Sequence, residues 1–119
     1  MRLQHVSIAI PVEGAAEARA FYGGVLGLEE RDVLAGLEPG GFIWFRTGGD
    51  TELHLMLNED PPPERAHFCL AVEGELGEVR SRLEAAGAPT RDATSLAGRP
   101  RFFCHDPFGN LVELARLEG

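Results

Sequence analysis

The chain has 119 residues, 44% hydrophobic and 25% charged, which fits one folded domain with its own core and excludes two large domains or a disordered, low-complexity chain. A net charge of −8, spread along the sequence, excludes a phosphate-backbone partner, so no nucleic acid is expected. Every basic residue is Arg, which excludes Schiff-base chemistry through lysine. No apolar run approaches the roughly 20 residues that span a bilayer, so no membrane partner is expected. The start lacks a signal peptide and the only cysteines are Cys69 and Cys104. A cytoplasmic location is therefore expected, with each cysteine a small buried side chain and not half of a disulfide.

In chain order, Leu3 to Ile10 alternates with Val6, Ile8 and Ile10 on one face, the pattern of a half-buried strand. Pro11 ends it, and Gly14 to Gly24 reads as an Ala-rich helix that gathers Ala18, Phe21, Tyr22 and Val25 on one side. Strands follow over Leu28 to Leu34, Phe42 to Arg46 and Thr51 to Leu57, separated by Gly-rich turns. The acidic, proline-rich stretch around Pro61-Pro62-Pro63 is a stiff connector that cannot join a ladder. Then the pattern restarts. His67 to Val72 is a strand, Glu75 to Ala86 a helix stopped by Gly87, and Pro89 to Ala93, Arg101 to His105 and Leu111 to Leu117 are strands, the last two joined by the Asp106-Pro107-Phe108-Gly109-Asn110 turn.

His5-Val6-Ser7-Ile8-Ala9-Ile10 matches His67-Phe68-Cys69-Leu70-Ala71-Val72, and Glu52-Leu53 matches Glu113-Leu114 at nearly the same separation. Two landmarks kept in step point to a duplicated unit. The expected fold is α+β: two βαβββ modules forming a cup-shaped mixed sheet with helices on the outer face. The expected organisation is a single domain over 1–119, with module 1 at 1–58, a proline linker at 59–65 and module 2 at 66–119.

If the large aliphatics face the helices, His5/Ser7, Glu52/His54, His67/Cys69 and Glu113/Ala115 share the opposite face. Packing of the modules about a pseudo-twofold then brings two imidazoles and two carboxylates together, and a cation is the physical reason to gather such groups. A mixed nitrogen and oxygen set suits one divalent transition metal, Zn, Ni, Fe, Mn or Co, and leaves positions open for water or substrate, as a catalytic site does. The small residues Ser7, Ala9, Cys69, Ala71 and Ala115 leave room for a ligand. Phe42, Trp44 and Phe103 either wall that space or belong to the core. His105 reads as a hairpin-end polar residue. Arg99 and Arg101 are either solvated charges or an anion clamp on a lid over Ala93 to Pro100.

These residues resemble the glyoxalase/vicinal-oxygen-chelate superfamily from Leu3 to Leu117. The marks are His5 in the opening strand, Phe21-Tyr22 through Leu26-Gly27 as an "FY…LG" segment, His67 opening the second half, and Asp106 to Leu114, which is similar to a "DPxGNxxEL" signature. By position, the resemblance implies His5, His67 and Glu113 as metal ligands and Glu52 as the fourth. His54 lies two residues beyond Glu52 on the same face, and alternation does not choose between them. The implied substrate pocket takes in Ser7, Trp44, His54, Cys69, Phe103 and Arg101.

The resemblance further implies a metal-dependent isomerase, lyase or epimerase. Its small-molecule substrate would carry adjacent oxygens, Glu113 or Glu52 would take a proton, and an enediolate would be stabilised by the metal. The same superfamily includes thiol transferases and dioxygenases, and metal-free antibiotic-sequestering proteins of the bleomycin-resistance type, to which a net charge of −8 is suited for a cationic drug. A homodimer is expected by resemblance alone.

Overall fold

β-Branched and aromatic residues at alternate positions, broken by Gly and Pro, give eight strands, two α-helices and a π-helical segment among the described residues. In the computed structural model these are β1 (His5–Ile10), α1 (Ala15–Ala18), β2 (Glu29–Arg31), β3 (Phe42–Gly48) and β4 (Thr51–Leu57) in the first half. The second half holds β5 (His67–Ala71), α2 (Leu76–Ala85), β6 (Thr90–Asp92), β7 (Arg101–His105) and β8 (Leu111–Ala115). The structure describes residues 1–117, so the last two positions of module 2 as delimited above lie outside the described residues. The chain divides into two units, Met1–Pro62 and Pro63–Gly119, with the boundary inside the proline stretch.

Each unit is a βαβββ module with its own four-stranded mixed sheet, ordered β1-β4-β3-β2 in the first and β5-β8-β7-β6 in the second. In both, the opening strand pairs in parallel with the closing strand, and the other pairings are antiparallel. The fold is α+β. The aliphatic parity is buried as expected: Ile43, Phe45, Leu53 and Leu55 with Phe21 and Tyr22 in module 1, and Phe102, Val112 and Leu114 with Val79 and Leu83 in module 2.

The first helix differs from expectation in kind. Only Ala15–Ala18 is α-helical, and Arg19–Val25 winds as a wider π-helix. Phe21 and Tyr22 are adjacent in sequence and both buried, and the widened turn accommodates two neighbouring aromatics on the inner side. Of the four edge strands, β2 and β6 are the short ones, three residues each.

Register corrects the internal alignment of the two halves. In the first sheet His54 lies between Ser7 and Trp44, and in the second Glu113 lies between Cys69 and Phe103. Glu113 therefore occupies the place of His54, whereas the sequence match pairs it with Glu52. A slip of two residues preserves the alternation of faces, so hydrophobic patterning cannot detect it. A register shift between Arg46 and Gly48 is one place where the two halves differ in strand geometry.

Candidate functional site

On the polar face of the first sheet, one residue from each strand joins a row of stacked groups. The His5 ring lies 4.2 Å from that of His54 with 17° between planes, and His54 lies 3.9 Å from Trp44 at 3°. The Arg31 guanidinium follows, 5.7 Å from the Trp44 ring centre. Their order β1, β4, β3, β2 is the strand order of the sheet, so cross-strand neighbours at side-chain spacing generate the row.

Glu52 sits beside this row with both oxygens engaged. His54 Nε2 donates to Oε1 at 2.9 Å and Arg31 Nη1 donates to Oε2 at 2.8 Å. The hydrogen bond from His54, followed by those from Arg31 and Gln4, holds the Glu52 carboxyl below the ordinary carboxylate range against the opposing effect of burial.

The tautomer of His5 follows from its neighbours. Gln4 Nε2 donates to the Asp50 carbonyl at 2.7 Å, which turns Gln4 Oε1 toward His5 Nδ1, 2.8 Å away. An amide oxygen only accepts, so Nδ1 carries the proton and Nε2 of the neutral ring keeps its lone pair. His67 is fixed the same way: Nδ1 donates to the Arg65 carbonyl at 3.0 Å. Its Nε2 faces Glu113 Oε1 at 3.1 Å. A neutral imidazole nitrogen with a lone pair and a carboxylate oxygen are both acceptors, so this pair calls for a shared proton or a cation.

Glu113 is 7% exposed, and its second oxygen is 3.5 Å from Arg101 Nη1. Arg101 also donates from Nε to the Thr94 carbonyl at 3.2 Å, so it is committed to Glu113 and its own loop instead of standing free as an anion clamp. Phe103 meets the His67 ring edge-on at 5.0 Å. The Cys69 thiol is pushed up to about 11 by burial and by Glu113. Cys69 as a residue is exposed and Cys104 buried, and both thiols are free. The expectation of burial holds for Cys104 and is corrected for Cys69, which lies on an edge strand. The turn before β8 fixes Glu113 in place: Asp106 Oδ1 accepts from the backbone of Phe108 and Asn110 at 2.9 and 2.8 Å, and Oδ2 from Asn110 Nδ2 at 2.9 Å.

The structure thus gathers His5, Glu52, His54 and Trp44 in module 1, with Ser7 on the same face of β1, and His67, Glu113, Cys69, Phe103 and Arg101 in module 2. Among the described residues, no group of three or more His, Cys, Asp or Glu is placed to hold a metal ion. Within each module the donor types, imidazole nitrogen and carboxylate oxygen, are ones a transition ion takes. Two imidazoles present Nε2 lone pairs with Nδ1 anchored on an oxygen, the orientation metal-binding histidines take, and a carboxylate lies beside one of them. Arg31 and Gln4 escaped the sequence reading. Arg31 sits among acids that look like surface decoration, yet its register partner is Trp44. Gln4 immediately precedes His5, a proximity that could have flagged it. A depression of about 650 Å³ in module 2, lined by Arg80, Asp92, Ser95, Arg99, Arg101 and Phe102 among others, opens beside the 93–100 segment and shares only Arg101 with these candidates. No helix among the described residues is long and apolar enough to cross a membrane.

Comparison with known proteins agrees with this fold. The sequence model of the Glyoxalase/Bleomycin resistance protein/Dioxygenase superfamily matches residues 2–114. A glyoxalase family protein from Bacillus anthracis is 33% identical, with a TM-score of 0.88 over 99% of this chain and 96% of that one. Lactoylglutathione lyase from Agrobacterium tumefaciens is 24% identical, with a TM-score of 0.70 over 97% and 92%. TnmS3, an antibiotic binding protein from Streptomyces sp. CB03234, is 22% identical, with a TM-score of 0.75 over 99% and 97%. The latter two share the fold. None of the curated proteins compared with the chain matches it. With the family pattern spanning nearly all its length, the chain belongs to the Glyoxalase/Bleomycin resistance protein/Dioxygenase superfamily.

Proposed function

We propose that the protein is a divalent-metal-dependent enzyme of the glyoxalase type, acting on a small substrate with adjacent oxygens as an isomerase, lyase or epimerase. His5, His67 and Glu113 are its proposed metal ligands, with Glu52 and His54 the two candidates that β4 offers for a fourth. Each module supplies part of the set, in one chain or between two copies of a homodimer. The observation that carries this reading is the His67–Glu113 pair: an imidazole whose Nδ1–H is spent on the Arg65 carbonyl turns Nε2 toward a carboxylate oxygen 3.1 Å away.

A bound divalent ion supplies a Lewis acid for two substrate oxygens and raises the acidity of the neighbouring carbon. The rest is the work of side chains. Glu113 takes the proton at Oε2, the oxygen turned away from His67 and toward Arg101, and Arg101 steadies that carboxylate while its own loop holds the guanidinium. Glu52 is the weaker base, since its carboxyl is held low and both its oxygens already accept hydrogen bonds. Ser7, Cys69 and Phe103 border the same faces and shape the substrate space.

Metal analysis of purified protein tests the reading. One transition ion per chain in the wild type, lost in His67→Ala, supports it. Wild-type protein that takes up no transition metal overturns it. Exchange of carbon-bound hydrogen with deuterated solvent in α-hydroxycarbonyl compounds tests the proton transfer. A second reading, metal-free sequestration of an antibiotic, draws on the net charge of −8, suited to a cationic ligand, and on the exposed His5 ring that ends the Arg31–Trp44–His54–His5 row. Trp44 is the only tryptophan, so quenching of its fluorescence by such a drug in metal-stripped protein distinguishes this reading from the first.

A further inference from the structure

We infer that the substrate is an acid: the polar face of the second module takes an oxyanion, carboxylate or phosphate, carried by the substrate, and Arg91 and Arg99 select it. This rests on the reading of that face as part of a substrate site and narrows the substrate's class. Every residue that would touch the oxyanion lies in module 2.

Register identifies the first arginine. In module 1, Ser7, His54, Trp44 and Arg31 are successive partners across β1, β4, β3 and β2. Module 2 repeats the row as Cys69, Glu113, Phe103 and Arg91 across β5, β8, β7 and β6. Arg91 is therefore the counterpart of Arg31. Each lies against the aromatic ring of the neighbouring strand, Arg31 5.7 Å from the centre of Trp44 and Arg91 5.2 Å from that of Phe103. Their charges end differently. Arg31 Nη1 donates to Glu52 at 2.8 Å. The register that sets Glu52 beside His5 sets Leu111 beside His67, so a leucine, which accepts no hydrogen bond, holds the acid's place in module 2. The adjacent Asp92 is bound to Arg80, and among the described residues Arg91 has no carboxylate partner.

Two further guanidiniums act on the same face. Arg101 lies 5.5 Å from the same Phe103 centre and is answered by Glu113 at 3.5 Å. Arg99 is the third. The Cys69 thiol, raised by burial and then by Glu113, is pulled the other way by the charges of Arg99 and Arg101, so the Arg99 charge reaches this face. Among the described residues no carboxylate pairs with Arg99. Around Phe103 and Cys69, module 2 thus sets three guanidiniums against the one carboxylate of Glu113, in a chain whose net charge is −8. Like charges brought together repel, and a bound anion relieves that repulsion.

The three arginines divide the work. Arg101 is occupied by Glu113 and the Thr94 carbonyl, so it contributes charge. Arg91 and Arg99 are exposed and keep N–H groups for a ligand. A guanidinium held against an aromatic ring is restrained before the anion arrives, and its fork of donors matches a carboxylate or a phosphate. Module 1 shows the pairing with a carboxylate already in place, Arg31 on Glu52; module 2 leaves the corresponding arginine for a carboxylate from outside. The same local charge repels a cationic ligand, against what the net charge of the whole chain suggests.

The test is titration of the metal-stripped full chain, followed by ligand-observed nuclear magnetic resonance, with three compounds that share an α-hydroxyketone. Dihydroxyacetone is neutral, hydroxypyruvate adds a carboxylate, and dihydroxyacetone phosphate adds a phosphate. Wild type is expected to bind at least one acid about tenfold or more tightly than the neutral compound, and the tighter acid names the oxyanion. Arg91→Met and Arg99→Met, both at exposed positions and checked for native circular dichroism, are each expected to weaken that acid about three- to tenfold and to leave dihydroxyacetone unchanged. Equal binding of all three compounds, no binding of either acid at about 10 mM, or variants that bind the acid as wild type does overturns the inference. So do variants that weaken the neutral compound as much as the acid, which would make these arginines structural. A separate titration with zinc(II) keeps the two readings apart: a chain that takes up no zinc overturns the metal-binding reading and leaves the preference for acids standing.

Discussion

Replacing Arg31 by Met removes the guanidinium from Glu52 while keeping most of the aliphatic stem, and its effect on stability should depend on pH. Breaking a fully buried ion pair costs about 3–5 kcal/mol. Here the Arg31 side chain retains 24% exposure and His54 still donates to Oε1 at 2.9 Å, so the loss at neutral pH falls to about 2 kcal/mol. For a domain of this size that is a fall in Tm of about 8 °C. The Glu52 carboxyl is held below its usual value of 4.5, chiefly by the His54 hydrogen bond and then by Arg31. A carboxylate lowered on folding contributes stability that is fully present above the ordinary carboxylate range and is lost as pH falls through its lowered value. Arg31→Met should therefore be markedly less stable than wild type at pH 7, with the gap closing on acidification below pH 4.5. Urea unfolding followed by far-ultraviolet circular dichroism at both ends of that range measures it. An equal loss at pH 7 and in acid, or a loss under about 0.5 kcal/mol at pH 7, would refute the view that Arg31 stabilises the ionised Glu52 carboxylate.

Three further outcomes follow from packing and hydrogen bonding. Asp106→Ala removes the acceptor of three hydrogen bonds in the turn before β8 and should cost about 2–3 kcal/mol in urea unfolding, with weaker metal binding because Glu113 lies just beyond that turn. Leu83 is fully buried on α2, so Leu83→Ala should cost about 2–5 kcal/mol by the same measurement; a change under about 1 kcal/mol would show that α2 is not seated on its sheet. Burial, then Asp106, pushes the Cys104 thiol up to about 12 from an ordinary 9.0. In native protein at pH 8 it should react with iodoacetamide about a thousandfold more slowly than in the unfolded chain and faster as pH rises; equal native and unfolded rates would contradict that burial.

Much of this molecule is written in local pattern. Alternating Val6, Ile8 and Ile10, the restart at His67 and the turn residues Asp106 to Asn110 give both modules and their order, because period-two burial and turn chemistry are properties of adjacent residues. The same pattern is blind to register: Glu52 and His54 share a face, and only the pairing of β4 with β1 and β3 reveals that His54 is the counterpart of Glu113. Contacts made by groups without a motif are equally silent. Arg31 looks like one charge among Glu29, Glu30 and Asp32 until the sheet brings it against Trp44 and Glu52. The Arg65 carbonyl that sets the tautomer of His67 is a backbone atom, and no side-chain pattern announces it. The π-helical turn at Arg19–Val25 arises from the need to bury Phe21 and Tyr22 side by side, a tertiary demand that helix periodicity treats as a mismatch.

The most direct measurement is diffraction from cobalt-loaded crystals on either side of the metal's absorption edge. The account predicts one anomalous peak per site at bonding distance from Nε2 of His5, Nε2 of His67 and a carboxylate oxygen of Glu113. Metal-loaded crystals with no peak at these three residues would contradict it.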